Sequence, residues 1–304
     1  MTTLSRILIS GSSGMIGTAL AHHFMASQVP VFRLTRKKNP ENPQEIHWNP
    51  HAAPPVSDPA SLEAFDAVVH LSGANVAGHR WTPAYKREIV ESRVQTTQAL
   101  ARMLGQLRKP PQVLLCASAA GIYGNRGNEI LTEDSPPGHG FLAETCVAWE
   151  AAAQAAKDAG IRVAHLRFGV VLSPEGGALA KMLPLFRMGL AGPLSSGQQW
   201  MSWISLPDVV SAVSHIIQNS ELSGPVNATA PIPVTNAEFT RMLAHAVHRP
   251  AILPAPAFAL RLAFGEMADE ALLASIRMIP ARLAESGFRF QHSQLALALQ
   301  SLLR

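Results

Sequence analysis

Gly11, Gly14 and Gly17 recur at three-residue intervals between an apolar run at residues 7–9 and an amphipathic run that continues through Phe24. That spacing builds a phosphate-binding turn. Gly11 permits a tight exit from a strand, Gly14 lets the backbone approach a pyrophosphate, and Gly17 lets the following helix pack close to its sheet. Ser12, Ser13, Met15 and Ile16 complete the loop, and the free N–H groups and dipole of the helix start face the anion. The alternative is a purely structural strand–helix turn. About twenty residues on, after an apolar run at 29–34, such a unit places the reader of the adenosine ribose. An acid there accepts from a 2′-hydroxyl; an arginine accommodates a 2′-phosphate. The sequence reads Thr35-Arg36-Lys37-Lys38, with no acid. Arg36 offers a planar fork and Lys37 or Lys38 a point charge, which together suit a phosphate dianion. The expected cofactor is therefore NADP(H), the alternative being a solvated basic loop.

The elements that must position these residues alternate. Strand candidates lie at 7–9, 29–34, 67–71, 113–117 and 163–167, with a shorter one at 45–48. Helical stretches at 15–26, 83–107 and 142–159 lie between them. Continuous apolar strands separated by helices predict a parallel sheet covered on both faces. After residue 172 glycine and proline become dense through 176–197. A helix at 207–218, a short strand near Val226, and helices near 237–247 and 268–277 follow. The expected fold is α/β, a Rossmann-type doubly wound parallel sheet with a small C-terminal α+β lobe. Residues 1–172 would form the nucleotide-binding domain, with 198–227 returning to it, and 173–197 and 228–304 the substrate lobe. In such a sheet ligands sit beyond the carboxyl ends of the strands. Leu71 closes its strand, and Ser72-Gly73-Ala74-Asn75, Ser118 through Gly124, and Phe168-Gly169-Val170 each follow a strand; all converge there with the glycine loop and Arg36.

With 304 residues, 47% of them apolar and 15% charged, the chain can bury a sizeable core. A net charge of +4, scattered apart from residues 36–38, predicts no nucleic-acid partner. Two cysteines imply no disulfide framework. No apolar run of about 20 residues predicts a membrane span, and the N-terminus leads directly into a core strand. A cytoplasmic protein acting on a small molecule is expected. No histidine spacing suits a metal site.

The stretches 9–17, 69–74, Arg80-Trp81 with Lys86, 91–94 with Thr97, 118–124, 131–136, 141–144 with Trp149-Glu150, 166–172, 197–204 with Asp208, 227–231 and Gly287-Phe288 carry a resemblance over nearly the whole chain. It resembles the extended short-chain dehydrogenase/reductases, the NAD(P)-dependent epimerase/dehydratase group. Within that group it is similar to a subgroup of sugar-nucleotide-epimerase-like proteins that includes cell-division-inhibitor homologues. The resemblance implies a Rossmann domain, a small C-terminal lobe and NADP(H). It also implies a monomer or a homodimer formed through the helices at 83–107 and 142–159.

One departure stands out. The parent group pairs a Tyr with a Lys four residues later; the Lys lowers the Tyr pKa from about 10 and so makes it a usable acid/base. Only two tyrosines occur here, and Ile89 and Gly127 stand four residues after Tyr85 and Tyr123. Leu142 and Cys146 fall at the Tyr and Lys positions. Ser118 matches the substrate-contacting Ser of the group, where it either polarises a reacting oxygen or caps a helix. Tyr123 is either a substitute acid or part of the pocket wall. Glu133, Asp134 and Glu144 are further proton carriers or caps. Arg93, seven residues after Lys86 on one helix face, joins the cofactor-binding set; with Arg80 and Lys86 it offers charge to an anionic substrate. The expectation is an NADP(H)-dependent oxidoreductase or epimerase-like enzyme without the usual Tyr–Lys pair. A non-catalytic NADP(H)-binding redox sensor or regulator is the alternative.

Overall fold

The computed structural model describes residues 4–304. Its strands are β1 (Ile7–Ser10), β2 (Val31–Thr35), β3 (Glu45–His47), β4 (Ala67–His70), β5 (Val113–Ala119), β6 (Ile130–Leu131), β7 (Arg162–Phe168), β8 (Val170–Leu172), β9 (Trp200–Met201), β10 (Trp203–Ser205), β11 (Gly224–Ala228), β12 (Val234–Thr235) and β13 (Arg277–Met278). The helices are α1 (Met15–Ala26), α2 (Pro83–Gly105), α3 (Phe141–Ala151), α4 (Gln154–Asp158), α5 (Gly177–Arg187), α6 (Leu206–Gln218), α7 (Asn236–Ala246), α8 (Ala257–Phe264), α9 (Ala281–Glu285) and α10 (Leu295–Leu302). The main sheet runs β11-β7-β5-β4-β1-β2-β3, parallel throughout. Its order reverses between β1 and β4, and that switch point opens the crevice in which doubly wound sheets bind ligands.

Strand alternation sorts the core into two layers. Ile7, Ile9, Val69, Leu115 and Leu166 face Leu20 and Phe24 of α1 and Val213 and Ile216 of α6. Leu8, Val68, Leu114 and Val163 face Leu100 and Leu104 of α2 and Ala156 of α4. A third cluster in the C-terminal part joins Leu179 and Leu183 of α5, Trp203, Phe239 and Leu243 of α7 and Leu299 of α10.

The sequence and the structure part company in four places. The helix expected at 142–159 is two: the Ala152 N–H bonds both Ala148 O and Trp149 O, which tightens the turn and ends α3. The helix expected at 268–277 is only a single wide turn, Ala268–Leu272, because Ser275 bonds Asn125 and Gly127 and draws the chain into extended β13. The glycine- and proline-dense stretch holds α5, with Pro184 in its interior. A proline there costs about 3 kcal/mol. Buried Leu179, Leu183 and Phe186, each worth about 1.5–3 kcal/mol, offset it. Finally, residues 228–304 do not all lie in the lobe: Leu283 packs in the α1/α6 layer, joined at its edge by Phe288 and Phe290.

Candidate active site

The turn after β1 rests on steric facts. Gly11 has φ +69°, and a Cβ there would lie 2.8 Å from the Leu71 carbonyl carbon, so the β1 and β4 exits meet backbone to backbone. A Cβ on Gly17 would press on the Gly11–Ser12 backbone, 2.7 Å from the Ser12 Cα. Gly17 therefore closes the turn on itself rather than docking the helix on the sheet. Gly14 is the N-cap of α1 and supplies no side-chain cap. The N–H groups of the first turn consequently have no intrahelical acceptor and are open to an anion.

A cleft of about 720 Å³ opens over this turn. Of the expected residues it brings together Gly11, Ser12, Ser13, Gly14, Arg36, Lys37, Leu71, Ser72, Gly73 and Ala74. Its wall also holds Arg33, Glu45, Trp48, Asn49, Glu88, Ser92 and Thr96, which sequence reasoning missed. Trp48 and Asn49 follow β3 as Arg36 follows β2 and Leu71 follows β4, and that rule would have found them. Arg33, Arg36 and Lys37 against Glu45 leave the β2–β3 end net positive.

The other expected residues lie outside the lining. Met15 sits against Gly176 and Gly177, and Gly169 packs on the Ser202 backbone. Ile16 and Phe168 border the main core, and Val170 borders the lobe core. Arg93 lies behind the cleft floor. Its guanidinium donates to Ala74 O (2.9 Å) and Ile89 O (3.0 Å) and lies 5.0 Å from the Trp149 ring. It thereby fixes the Gly73–Ala74 backbone from beneath. Burial lowers its pKa, and no carboxylate pairs with it among the described residues.

Ser118 and Tyr123 do not face the cleft as a substrate-polarising Ser and a substitute acid would. Ser118 is 2% exposed and Tyr123 0%. The Ser118 hydroxyl donates to Glu150 Oε1 (2.7 Å). Arg167 grips the same carboxylate through Nε (2.8 Å) and Nη2 (3.0 Å), and its Nη1 donates to the Tyr123 hydroxyl (2.9 Å). That hydroxyl donates to Asn227 Oδ1 (2.7 Å), with Thr132 O also at 3.0 Å. A buried chain thus ties β5, α3, β7 and β11 together. Burial alone would raise the Glu150 carboxyl, but the Arg167 hydrogen bonds and charge hold it below its usual 4.5. Burial pushes the Tyr123 hydroxyl up, away from acid/base duty at neutral pH. It also raises Glu133, whose Oε1 accepts from the Asn227 and Arg282 N–H groups.

Other chemistry-bearing residues are occupied too. Lys86 pairs with Glu266 (2.8 Å), and Arg80 donates to Leu262 O (3.0 Å). Lys86 thus binds the 262–266 region to α2, and Arg80 binds it to the segment before α2, rather than standing free for a substrate. The Cys116 and Cys146 thiols are pushed up to about 12 by burial, so neither is a reactive thiolate. No group of three metal-ligating side chains exists among the described residues, and no helix there is long and apolar enough to cross a membrane.

His165 is buried with neither ring nitrogen hydrogen-bonded. Burial lowers its pKa from 6.5 to about 4, and buried His70 shifts likewise. A lowered folded pKa means the unfolded chain binds more protons, so stability is full above pH 6.5 and falls toward pH 4. Urea midpoints should drop across that window, and His165→Met should flatten, without abolishing, the drop. An unchanged slope would show that His165 is hydrated rather than sealed.

A family model described as the NAD dependent epimerase/dehydratase family matches residues 7–228. The chain belongs to that family. A second model, a domain of unknown function, matches residues 255–302. The chain is 46% identical over 293 residues to an epimerase family protein of Mycobacterium bovis, covering 96% of each. It is 36% identical to the chloroplastic SDR39U1 homologue of Arabidopsis thaliana, covering 98% of this chain and 86% of the relative. Among solved structures, human epimerase family protein SDR39U1 with NADPH superposes with a TM-score of 0.90 at 32% identity, covering 98% of both chains. The family membership places the sheet, its switch point and the glycine turn among NAD(P)-dependent proteins of this fold.

Proposed function

We propose that the protein is an NADP(H)-dependent oxidoreductase or epimerase-like enzyme acting on a small carbonyl or sugar-nucleotide substrate. The observation that carries the cofactor choice is the group Arg33, Arg36 and Lys37 at the β2 end of the cleft. NADPH in the human relative supports the same choice. The residues fit the dinucleotide. The open first turn of α1 would take the diphosphate, Arg36 and Lys37 the 2′-phosphate, and the wall from Trp48 to Thr96 the adenosine. When bound, the nicotinamide supplies hydride transfer. The chain's own part is orientation: Arg93 holds the Gly73–Ala74 floor from below, and the Ser118–Asn227 chain fixes the β5, β7 and β11 ends.

The burial of both hydroxyls favours a second reading, an NADP(H)-binding redox sensor or regulator without turnover. Calorimetry with NADPH, followed by loss of reduced-nicotinamide absorbance against a panel of aldehydes, ketones and nucleotide sugars, separates them. Binding with turnover supports the enzyme, and binding without turnover across the panel supports the sensor. No heat with either nicotinamide dinucleotide would remove both.

A further inference from the structure

A second cavity, of about 940 Å³, opens between the 50–60 loop and the C-terminal half of α2. It exceeds the dinucleotide cleft in volume and meets it only at Pro50. One wall is proline and alanine, including Pro54, Pro55 and Pro59; the other includes Met103 and Leu107. Proline has no N–H to donate, so this wall offers flat apolar surface and few hydrogen bonds. The mouth carries Arg102, Arg108 and Lys109. No ion pair or hydrogen bond engages these three side chains among the described residues. The one acid in the lining, Glu63, spends its two carboxylate oxygens on the backbone N–H groups of Arg108 (3.0 Å) and Lys109 (2.7 Å). Those two bonds hold its pKa below 4.5. They also fix the backbone that carries two of the three cations. Three positive charges against one negative leave the mouth net positive.

We infer that this cavity is a second ligand site, distinct from the dinucleotide cleft, for a small molecule with a flat apolar body and a phosphate dianion. The apolar walls take the ring system by burial. Arg102, Arg108 and Lys109 supply the positive charge and the N–H donors that a phosphate dianion needs. A neutral ring without the phosphate lacks the cation contacts. A bare phosphate lacks the walls.

The probe is 1-naphthyl phosphate, titrated by calorimetry and naphthyl fluorescence into full-length protein already saturated with NADPH. The expected result is one saturable site, with 1-naphthol and inorganic phosphate each binding at least tenfold more weakly. Arg102→Glu/Arg108→Glu should weaken the probe at least tenfold and leave NADPH affinity within twofold. Both residues are exposed on α2 and the following loop, so the fold should tolerate the change. Met103→Ala, which removes part of the wall but no charge, should weaken 1-naphthyl phosphate and 1-naphthol alike. Failure to bind in the presence of NADPH, displacement by NADPH, or equal affinity in the charge-reversed variant would each overturn the assignment. None of these outcomes depends on turnover or on the proposed substrate.

Discussion

Replacing Arg167 with methionine should lower the unfolding midpoint by ~5–8 °C, from a loss of about 3–5 kcal/mol. The Arg167–Glu150 pair is nearly sealed, with side chains 8% and 14% exposed. Removing the cation strands a carboxylate with only the Ser118 hydroxyl left to it. The sign of the pH response distinguishes this from simple loss of packing. In the native protein the Glu150 carboxyl lies below 4.5, so its contribution is present above that pH and is lost on acidification. In the variant burial is no longer outweighed by the Arg167 hydrogen bonds and charge and raises it, so the penalty is largest at neutral pH and shrinks as the carboxyl is protonated. Scanning calorimetry from pH 7 to 4.5 reads this directly. A deficit that stays constant with pH would mean the ion pair is not what Arg167 contributes. Arg167→Met/Glu150→Leu, which removes both charges, should recover part of the loss.

The second large effect concerns nucleotide choice. Arg36→Asp/Lys37→Asp should weaken NADPH about 100-fold, as two charge-assisted contacts worth about 1.5–3 kcal/mol each are partly lost. NADH affinity should change no more than about threefold, because its 2′-hydroxyl never needed the cations. Gly17→Ala is the control of opposite character. Its Cβ would distort the turn proposed to hold the diphosphate, so both dinucleotides should weaken together, roughly tenfold or more. Equal losses of NADPH and NADH in the Arg36/Lys37 variant would reject the 2′-phosphate reader.

The strong signals in the sequence were local. Three glycines, a strand followed by Arg36-Lys37, and five apolar runs between helical ones read through to the turn, the cleft end and the sheet. Boundaries fell within a residue or two because buried parallel strands are continuous apolar runs. What did not read through is decided at a distance. Ser118 and Tyr123 are in a plausible place for catalysis by strand-end logic, but their hydroxyl directions depend on Glu150, Arg167 and Asn227, which come from other elements. Arg93 gives no hint in sequence that it works through the back of Gly73. The α5 helix was hidden because Pro184 and its flanking glycines argue against a helix that burial of Leu179, Leu183 and Phe186 then enforces.

The late return of the chain to the main sheet bears on how the protein is made. β11 completes the sheet only at residue 228, and Leu283 reaches the α1 layer more than fifty residues after that. A chain delivered from its N-terminus therefore leaves the apolar face of the sheet without α6 until residue 218 and without Leu283 for some sixty residues more. A chain ending before α6 would leave that face bare, whereas one ending between α6 and Leu283 would lack only the last part of its cover.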